Sequence, residues 1–127
     1  MPFIHITSLP PQEAVNMPAV LENISHSFSK FLGLDVKFVT ATWNFLPPGH
    51  YATGGQAAQF QPLNSHPLLV NLVVPGFYRN EQVAKALQAT ASAIHEVTQI
   101  PKNNLFIQAQ VAKSGFVFDN GTVMSWN

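Results

Sequence analysis

The feature that most restricts the possible folds of this chain is an internal duplication with a period of about 66 residues. Each half carries an apolar strand pattern, then a helix pattern, and then a second strand pattern. The corresponding positions are Pro2 and Pro67, Ala41 and Ala109, and Gly55 and Gly121. A single repetition at this length indicates one duplicated unit, because solenoid repeats are shorter and recur at least three times.

The first half predicts a strand, a helix and a second strand. Side chains alternate across residues 2–7, which is the period of a strand with contacts on both faces. Asn16 suits the N-cap of a helix that Gly33 ends, and the apolar residues between them have helical spacing. Residues 36–45 are rich in β-branched and aromatic side chains and predict the second strand. The polar segment 56–65 is expected to be a loop.

The second half repeats this order and adds a hairpin. The apolar run 68–74 predicts a strand that is buried on both faces. Asn80 is the expected N-cap of the second helix, and residues 105–111 predict the strand that follows it. Asp119-Asn120-Gly121, which lies between two short β-rich runs, is typical of a tight hairpin.

Two right-handed βαβ units placed side by side predict an α+β fold with a four-stranded mixed sheet, two helices on one face and a short C-terminal hairpin. We expect residues 1–127 to form one domain, with the first repeat over 1–65 and the second over 66–127. The helices leave the other face of the sheet open. Partner subunits are the expected cover, since only 9% of the residues are charged. The alternative is an exterior rich in uncharged polar residues.

Charge and composition argue against several classes of partner and site. The six basic and six acidic residues are scattered and cancel, so nucleic acid and anionic membranes are poor candidates as partners. The chain has no cysteine for disulfides or thiolate chemistry, and its five histidines lack metal-binding spacing, so we expect no metal. No apolar run reaches about 18 residues and no signal-peptide pattern precedes the first strand. A cytoplasmic location is therefore expected.

The N-terminus offers a possible base. If Met1 is removed, Pro2 becomes a free secondary amine at the start of an apolar strand, where the missing N–H of proline is tolerated. Burial penalises the charged form of such an amine and favours a neutral base near pH 7. While Met1 is attached, the same nitrogen belongs to an amide and cannot accept a proton. The alternative interpretation is that proline at this position has no chemical role.

Three short motifs, together with the doubled βαβ layout, carry a resemblance to a known group. They are Met1-Pro2 before the first strand, Phe77-Tyr78-Arg79 before the second helix, and Phe118-Asp119-Asn120-Gly121 in the hairpin. The chain resembles the tautomerase superfamily, which includes the oxalocrotonate tautomerases and the macrophage migration inhibitory factor family. It looks most similar to a subgroup of small bacterial tautomerase-fold proteins with no assigned activity. The resemblance implies a homotrimer with the helices outside and the sheets facing a central barrel.

The resemblance also implies a site. Pro2 would be the general acid/base, and Arg79, the only arginine, would hold the substrate carboxylate with its guanidinium fork. Arg79 is alternatively a solvent-exposed residue near a helix start. Asp119 stands where the dehalogenase branch activates water, although a tight Asp-Asn-Gly turn needs the same residue for backbone reasons. The residues expected to bind substrate are Phe77, Tyr78, Gln108, Phe118 and Lys37.

Three positions depart from the pattern of the resembled branches. Leu34 stands where some branches have a basic residue, and Lys37 is the nearest substitute. Phe28 stands at the histidine position of the dehalogenase branch, and Gln108 stands at its tyrosine position. These departures argue against dehalogenase activity and leave enol–keto isomerisation as the simplest chemistry.

Two hypotheses about function follow. The first is a cofactor-free tautomerase or isomerase that acts on a small carboxylate-bearing 2-oxo acid through Pro2. The second is a non-catalytic homotrimer, a binding or scaffold protein that keeps the fold without a free amine. The hypotheses differ in the chemical state of the Pro2 nitrogen.

Overall fold

The computed structural model describes residues 1–126, in which both predicted βαβ units are present. The first unit comprises β1 (Phe3–Ser8), α1 (Met17–Leu32) and β2 (Thr40–Phe45). A small ribbon follows, formed by β3 (Ala52–Thr53) and β4 (Gln56–Ala57). The second unit comprises β5 (Leu68–Pro75), α2 (Asn80–Thr98) and β6 (Leu105–Ala112). A hairpin comes next, formed by β7 (Val117–Asp119) and β8 (Thr122–Met124).

The four long strands form one mixed sheet in the order β2-β1-β5-β6. Each unit supplies a parallel pair of strands, and the antiparallel pairing of β1 with β5 joins the units. Both helices pack on the same face of this sheet and on each other. The predicted α+β fold, with its four-stranded mixed sheet and its C-terminal hairpin, is confirmed.

The helix ends show how closely local sequence determines the boundaries. The Asn16 side chain accepts a hydrogen bond from the Ala19 N–H at 3.2 Å, and Gly33 ends α1 in the left-handed region, as predicted. The second helix differs by one residue, since Arg79 and not Asn80 is its N-cap. The cause is Gln82, whose Oε1 accepts a hydrogen bond from the Arg79 N–H at 2.7 Å.

Two segments differ from the sequence-based expectation. Residues 36–38 form a 3-10 turn ahead of β2, because an Asp35 side-chain oxygen accepts a hydrogen bond from the Lys37 N–H at 3.0 Å. The expected loop 56–65 begins with strand β4. Gly54 and Gly55 both adopt the left-handed backbone that closes a two-residue turn, which allows this ribbon to form.

Only one face of the sheet is covered within the chain. In β5 the side chains of Leu68, Val70 and Leu72 are buried, whereas Leu69 and Asn71 on the opposite face are exposed. The expectation that this strand is buried on both faces is therefore wrong for the single chain. Its physical reason is that both helices lie on one side, which leaves the other side of the sheet open.

Phe28 anchors α1 on the sheet, and its removal should be costly. The Phe28→Ala variant is expected to lose about 3–5 kcal/mol of unfolding free energy, because the ring is fully buried and leaves a cavity. Phe31, nearly one turn further along α1, is 43% exposed, so Phe31→Ala should lose less than about 1 kcal/mol. Guanidinium denaturation followed by circular dichroism measures both losses. Similar losses for the two variants would show that Phe28 is not the anchor.

Candidate active site

The antiparallel pairing at the centre of the sheet brings the N-terminus and the corner between β5 and α2 together. Phe3 lies opposite Val73, so the start of β1 lies beside the end of β5. Pro2 is fully buried at this end, and its carbonyl oxygen accepts a hydrogen bond from the Thr40 N–H at 3.1 Å. The residue predicted to act as a base thus lies at the end of the central strands, where the chain leaves β5 and turns into α2.

A cleft of about 530 Å³, here called the N-terminal cleft, opens at this end of the sheet. Met1 lines it, and Met1 shares a peptide bond with the buried Pro2. The space around Met1 therefore adjoins the Pro2 nitrogen. The other lining residues are Lys37, Phe38, Thr40, Pro75, Phe77, Asp119, Asn120, Met124 and Trp126.

Lys37 and Asp119 supply one positive and one negative charge to the lining of the N-terminal cleft. Lys37 belongs to the 3-10 turn, and its Nζ lies 5.1 Å from the centroid of the Phe38 ring, within the range of a cation–π contact. Asp119 ends β7, where its Oδ1 accepts a hydrogen bond from the Asn120 N–H at 2.9 Å. The lining can therefore attract an anionic group and can also accept a hydrogen bond from a substrate.

The C-terminal hairpin places Asp119 by ordinary turn chemistry. Asn120 and Gly121 both have positive φ, 52° and 79°, as a two-residue turn of this kind requires. Asp119 pairs with Thr122 across the hairpin. The backbone conformation of the turn is therefore sufficient to account for the Asp-Asn-Gly sequence. The same turn places the Asp119 carboxylate in the lining of the N-terminal cleft.

Trp126 and Phe77 form an aromatic wall of the N-terminal cleft. Their ring centroids lie 5.7 Å apart, edge to face. The backbone N–H of Trp126 donates a hydrogen bond to Ser114 Oγ at 2.7 Å. Gly76 permits this close packing, since a Cβ there would lie 2.4 Å from the Ala112 carbonyl oxygen and 3.1 Å from Trp126 Nε1. Sequence analysis does not predict Trp126 as a site residue, because its position depends on the C-terminal segment returning to the β5–α2 corner.

Comparison with known proteins adds to this geometry. No family model and no curated protein matches the sequence. Among solved structures, Pt0534 inactivated by 2-oxo-3-pentynoate has a TM-score of 0.78 at 19% identity, covering 96% of this chain and 94% of that one. The wild-type asymmetric trimer of fused 4-OT has a TM-score of 0.76 at 15% identity, covering 96% and 95%. N1, a member of the cis-3-chloroacrylic acid dehalogenase family, has 0.74 at 14% identity, covering 97% and 83%.

The chain has the tautomerase fold. All three identities are low, so the likeness concerns the fold, and the chemistry must come from the residues of the site. In this tautomerase fold, Lys37, Phe77 and Asp119 line the N-terminal cleft beside the buried Pro2. Four of the eight predicted site residues are thus brought to one end of the sheet.

The other four predicted site residues do not line the N-terminal cleft of this tautomerase-fold chain. Arg79 is exposed at the N-cap of α2. Tyr78 packs against the hydrophobic core, and burial raises the pKa of its phenol above the ordinary value. Phe118 is 72% exposed on β7. Gln108 lies on the open face of the sheet, where its Nε2 donates a hydrogen bond to Asn71 Oδ1 at 3.0 Å.

Two further findings concern metals and membranes. Among residues 1–126, no three His, Asp or Glu side chains come together in a way that could hold a metal ion. Over the same described part of the tautomerase fold, neither helix combines the length and apolar character needed to cross a membrane.

Proposed function

We propose that the protein is a cofactor-free tautomerase or isomerase that interconverts the enol and keto forms of a small 2-oxo acid. The observation that carries the proposal is the position of Met1, which lines the N-terminal cleft and is bonded to the buried Pro2. Removal of Met1 converts the Pro2 nitrogen from an amide into an amine beside the vacated space. Burial and the positive charge of Lys37 oppose protonation of that amine, and the Asp119 carboxylate in the same cleft favours it. The proposal takes burial as the dominant effect, because a neutral amine suits proton transfer at neutral pH.

Ketonisation requires the movement of one proton. The neutral Pro2 amine accepts the proton of the enol hydroxyl, and the C–O bond of the substrate becomes a carbonyl. The ammonium then returns a proton to the carbon at the other end of the former double bond. No atom is gained or lost in the reaction, so general acid/base catalysis by one amine is sufficient.

A carboxylate on the substrate fits the charges at this end of the sheet. Lys37 supplies a cation inside the N-terminal cleft, and Arg79 stands at the start of α2, close in sequence to the cleft residue Phe77. The likeness to Pt0534, which 2-oxo-3-pentynoate inactivates, supports a 2-oxo carboxylate as the substrate class. In the proposed site Lys37 and Arg79 bind the carboxylate of the substrate, and Asp119 accepts a hydrogen bond from the substrate hydroxyl.

The proposed active form is a homotrimer in which the open sheet faces meet. Apart from His5, the open face carries no ionisable side chain, and it includes the exposed apolar residues Phe3, Leu69 and Phe106. Such a surface suits burial against other copies, since interface cores are depleted in charge. The trimers formed by fused 4-OT support this arrangement. In the trimer, the exposed Gln108 and Phe118 would complete the site of a neighbouring chain, with Tyr78 behind its wall.

A charge on the open face should dissociate the trimer. Asn71 is exposed at the middle of this face, so Asn71→Lys would bury an unpaired ammonium in each copy of the interface. Sedimentation velocity is expected to show three chain masses for wild type and one for the variant. Gln88→Lys, on an exposed position of α2, is the matched control and should remain trimeric. A wild-type protein that sediments as a single chain would contradict the proposed assembly.

One experiment separates the enzyme from the alternative, a non-catalytic trimeric binding or scaffold protein. The alternative is favoured if Met1 stays attached, because the Pro2 nitrogen is then an amide without basicity. Intact mass of protein purified without an N-terminal tag reports whether Met1 is present. Ketonisation of an enol 2-oxo acid, followed by ultraviolet absorbance, is then compared with the rate in buffer. Protein that begins at Pro2 and gives no acceleration would leave the scaffold function as the answer.

A further inference from the structure

A second cavity lies at the opposite end of the sheet from the N-terminal cleft. It has a volume of about 300 Å³ and lies where β1 and β2 end, between the loops 9–16 and 60–63 and the last turn of α2. We call it the distal cavity. The length of β1 separates it from Pro2 by roughly 20 Å, so it belongs to a different part of the molecule from the proposed active site.

Gln61 holds the walls of the distal cavity in place. Its backbone N–H donates a hydrogen bond to the Pro10 carbonyl oxygen at 2.9 Å, and its Oε1 accepts one from the Leu9 N–H at 3.2 Å. Its Nε2 donates to the carbonyl oxygens of His66 and Pro62 at 2.7 and 3.2 Å. One side chain thus ties the two loops to each other. The cavity is therefore preformed, which lowers the entropic cost of binding a ligand.

Four of the polar side chains in the wall of the distal cavity, those of Ser8, Trp43, Gln61 and Thr98, already have hydrogen-bond partners, and the fifth, Gln12, is exposed. Trp43 Nε1 donates a hydrogen bond to Ser8 Oγ at 2.9 Å, and Ser8 Oγ donates to the Leu9 carbonyl oxygen at 2.8 Å. Thr98 Oγ1 donates to the Ile94 carbonyl oxygen at 2.7 Å and accepts a hydrogen bond from the Ile100 N–H at 3.2 Å. These groups have little capacity left to bind a charged or strongly polar ligand.

Apart from the exposed Gln12, the remaining lining of the distal cavity is apolar. None of the fifteen residues that line it is ionisable, whereas the N-terminal cleft contains both Lys37 and Asp119. Trp43 and Phe45 stand side by side in the wall, with ring centroids 6.3 Å apart. Val15, Phe45 and Leu63 are exposed apolar side chains around the cavity. The aromatic surface, the volume and the absence of charge favour one kind of occupant.

We infer that the distal cavity binds a neutral, apolar molecule of one or two rings. The volume lies at the lower end of the range for small-molecule pockets, which admits a ligand of this size. The apolar surface of Leu9, Trp43 and Ile100 favours its transfer from water. An anionic molecule of the same size would lose its hydration in the cavity without gaining a cationic partner, so it is rejected.

The two tryptophans allow the two cavities to be observed separately. Trp43 lines the distal cavity and Trp126 lines the N-terminal cleft, and the chain has no other tryptophan. In Trp126→Phe, tryptophan emission therefore reports only on the distal cavity. The probes are 4-nitrotoluene, a neutral aromatic quencher, and 4-nitrobenzoate, its anionic analogue of nearly equal size. We expect saturable quenching by 4-nitrotoluene and only weak, linear quenching by 4-nitrobenzoate.

Two variants test whether the quenching arises in the distal cavity. Leu63 lines the cavity and is 62% exposed, so Leu63→Asp should fold normally and weaken 4-nitrotoluene binding by about fivefold, through lost apolar contact. Phe60, on the same loop, is 44% exposed but does not line the cavity, so Phe60→Asp should leave binding unchanged. Circular dichroism of both variants establishes that they are folded.

Several results would overturn the inference. Linear quenching by 4-nitrotoluene would mean that the quencher contacts Trp43 only by collision and does not bind in the cavity. The same result is expected if another copy of the chain fills the cavity. Equal saturable quenching by both probes would remove the claim that the site selects neutral molecules. Equal effects of Leu63→Asp and Phe60→Asp would place the bound probe outside the distal cavity. None of these results depends on whether Pro2 is catalytic.

Discussion

Protein that begins at Pro2 should ketonise an enol 2-oxo acid about 10² to 10⁴ times faster than protein that carries one extra residue before Pro2. The two forms can be prepared from the same tagged protein by cleavage that leaves either Pro2 or an added glycine first. The extra residue restores the amide at the Pro2 nitrogen and removes the base while every side chain of the protein stays the same. Stopped-flow absorbance of the enol at several pH values measures the difference.

The pH dependence provides the control for this comparison. The form with a free Pro2 amine should gain activity as the pH rises through the pKa of the amine, because only the neutral amine accepts a proton. The form with the added glycine should lack this rise, since its new terminal amine lies one residue further from the buried position of Pro2. Equal rates for the two forms, each with intact mass verified, would remove Pro2 from the mechanism.

Much of the fold could be predicted because its signals are local. The Asn16 cap, the left-handed Gly33 and the Asn120-Gly121 turn each act within a few residues, and the structure has all three. The duplication then determined the pairing of the units, because right-handed βαβ connections leave few alternatives. Two expectations failed because a nearby side chain changed the local structure: Gln82 makes Arg79 the N-cap, and Asp35 induces a 3-10 turn. A third failed for a tertiary reason, since both helices lie on one side of β5 and leave its other face open.

The candidate site was less predictable because contacts distant in sequence build it. Phe77 and Asp119 lie on motifs, and both line the N-terminal cleft. Trp126 reaches the same cleft because Gly76 allows close packing and because Ser114 accepts a hydrogen bond from the C-terminal segment. These contacts cannot be predicted from the spacing of residues in the sequence. A resemblance in motif also cannot determine which chain of an assembly a side chain serves. Arg79 illustrates this, since it is exposed in the single chain.

Lys37 and Arg79 should both contribute to carboxylate binding, and their separate removal tests this. Lys37→Met keeps the length of the side chain and deletes its charge, so kcat/KM should fall about 10- to 100-fold through loss of a charge-assisted hydrogen bond. Most of the change should be a rise in KM, because the carboxylate is bound equally in the ground state and the transition state. Lys113→Met is the matched control. Lys113 also lies over a phenylalanine ring, with Nζ 4.8 Å from the Phe116 centroid, but does not line the cleft.

Arg79→Met should produce a loss of similar size, if a neighbouring chain or the bound substrate brings the guanidinium to the cleft. The substitution keeps the N–H that bonds to Gln82, so α2 should retain its cap and its stability. The free-energy change calculated from kcat/KM of the double variant is then compared with the sum of the changes in the two single variants. A change smaller than that sum would show that both cations hold one carboxylate. An unchanged kcat/KM in Arg79→Met, with the Lys37→Met effect intact, would assign the carboxylate to Lys37 alone. The carboxylate would then be held by a cation of the same chain as Pro2, and the neighbouring chain of the proposed trimer would contribute only the uncharged Gln108 and Phe118.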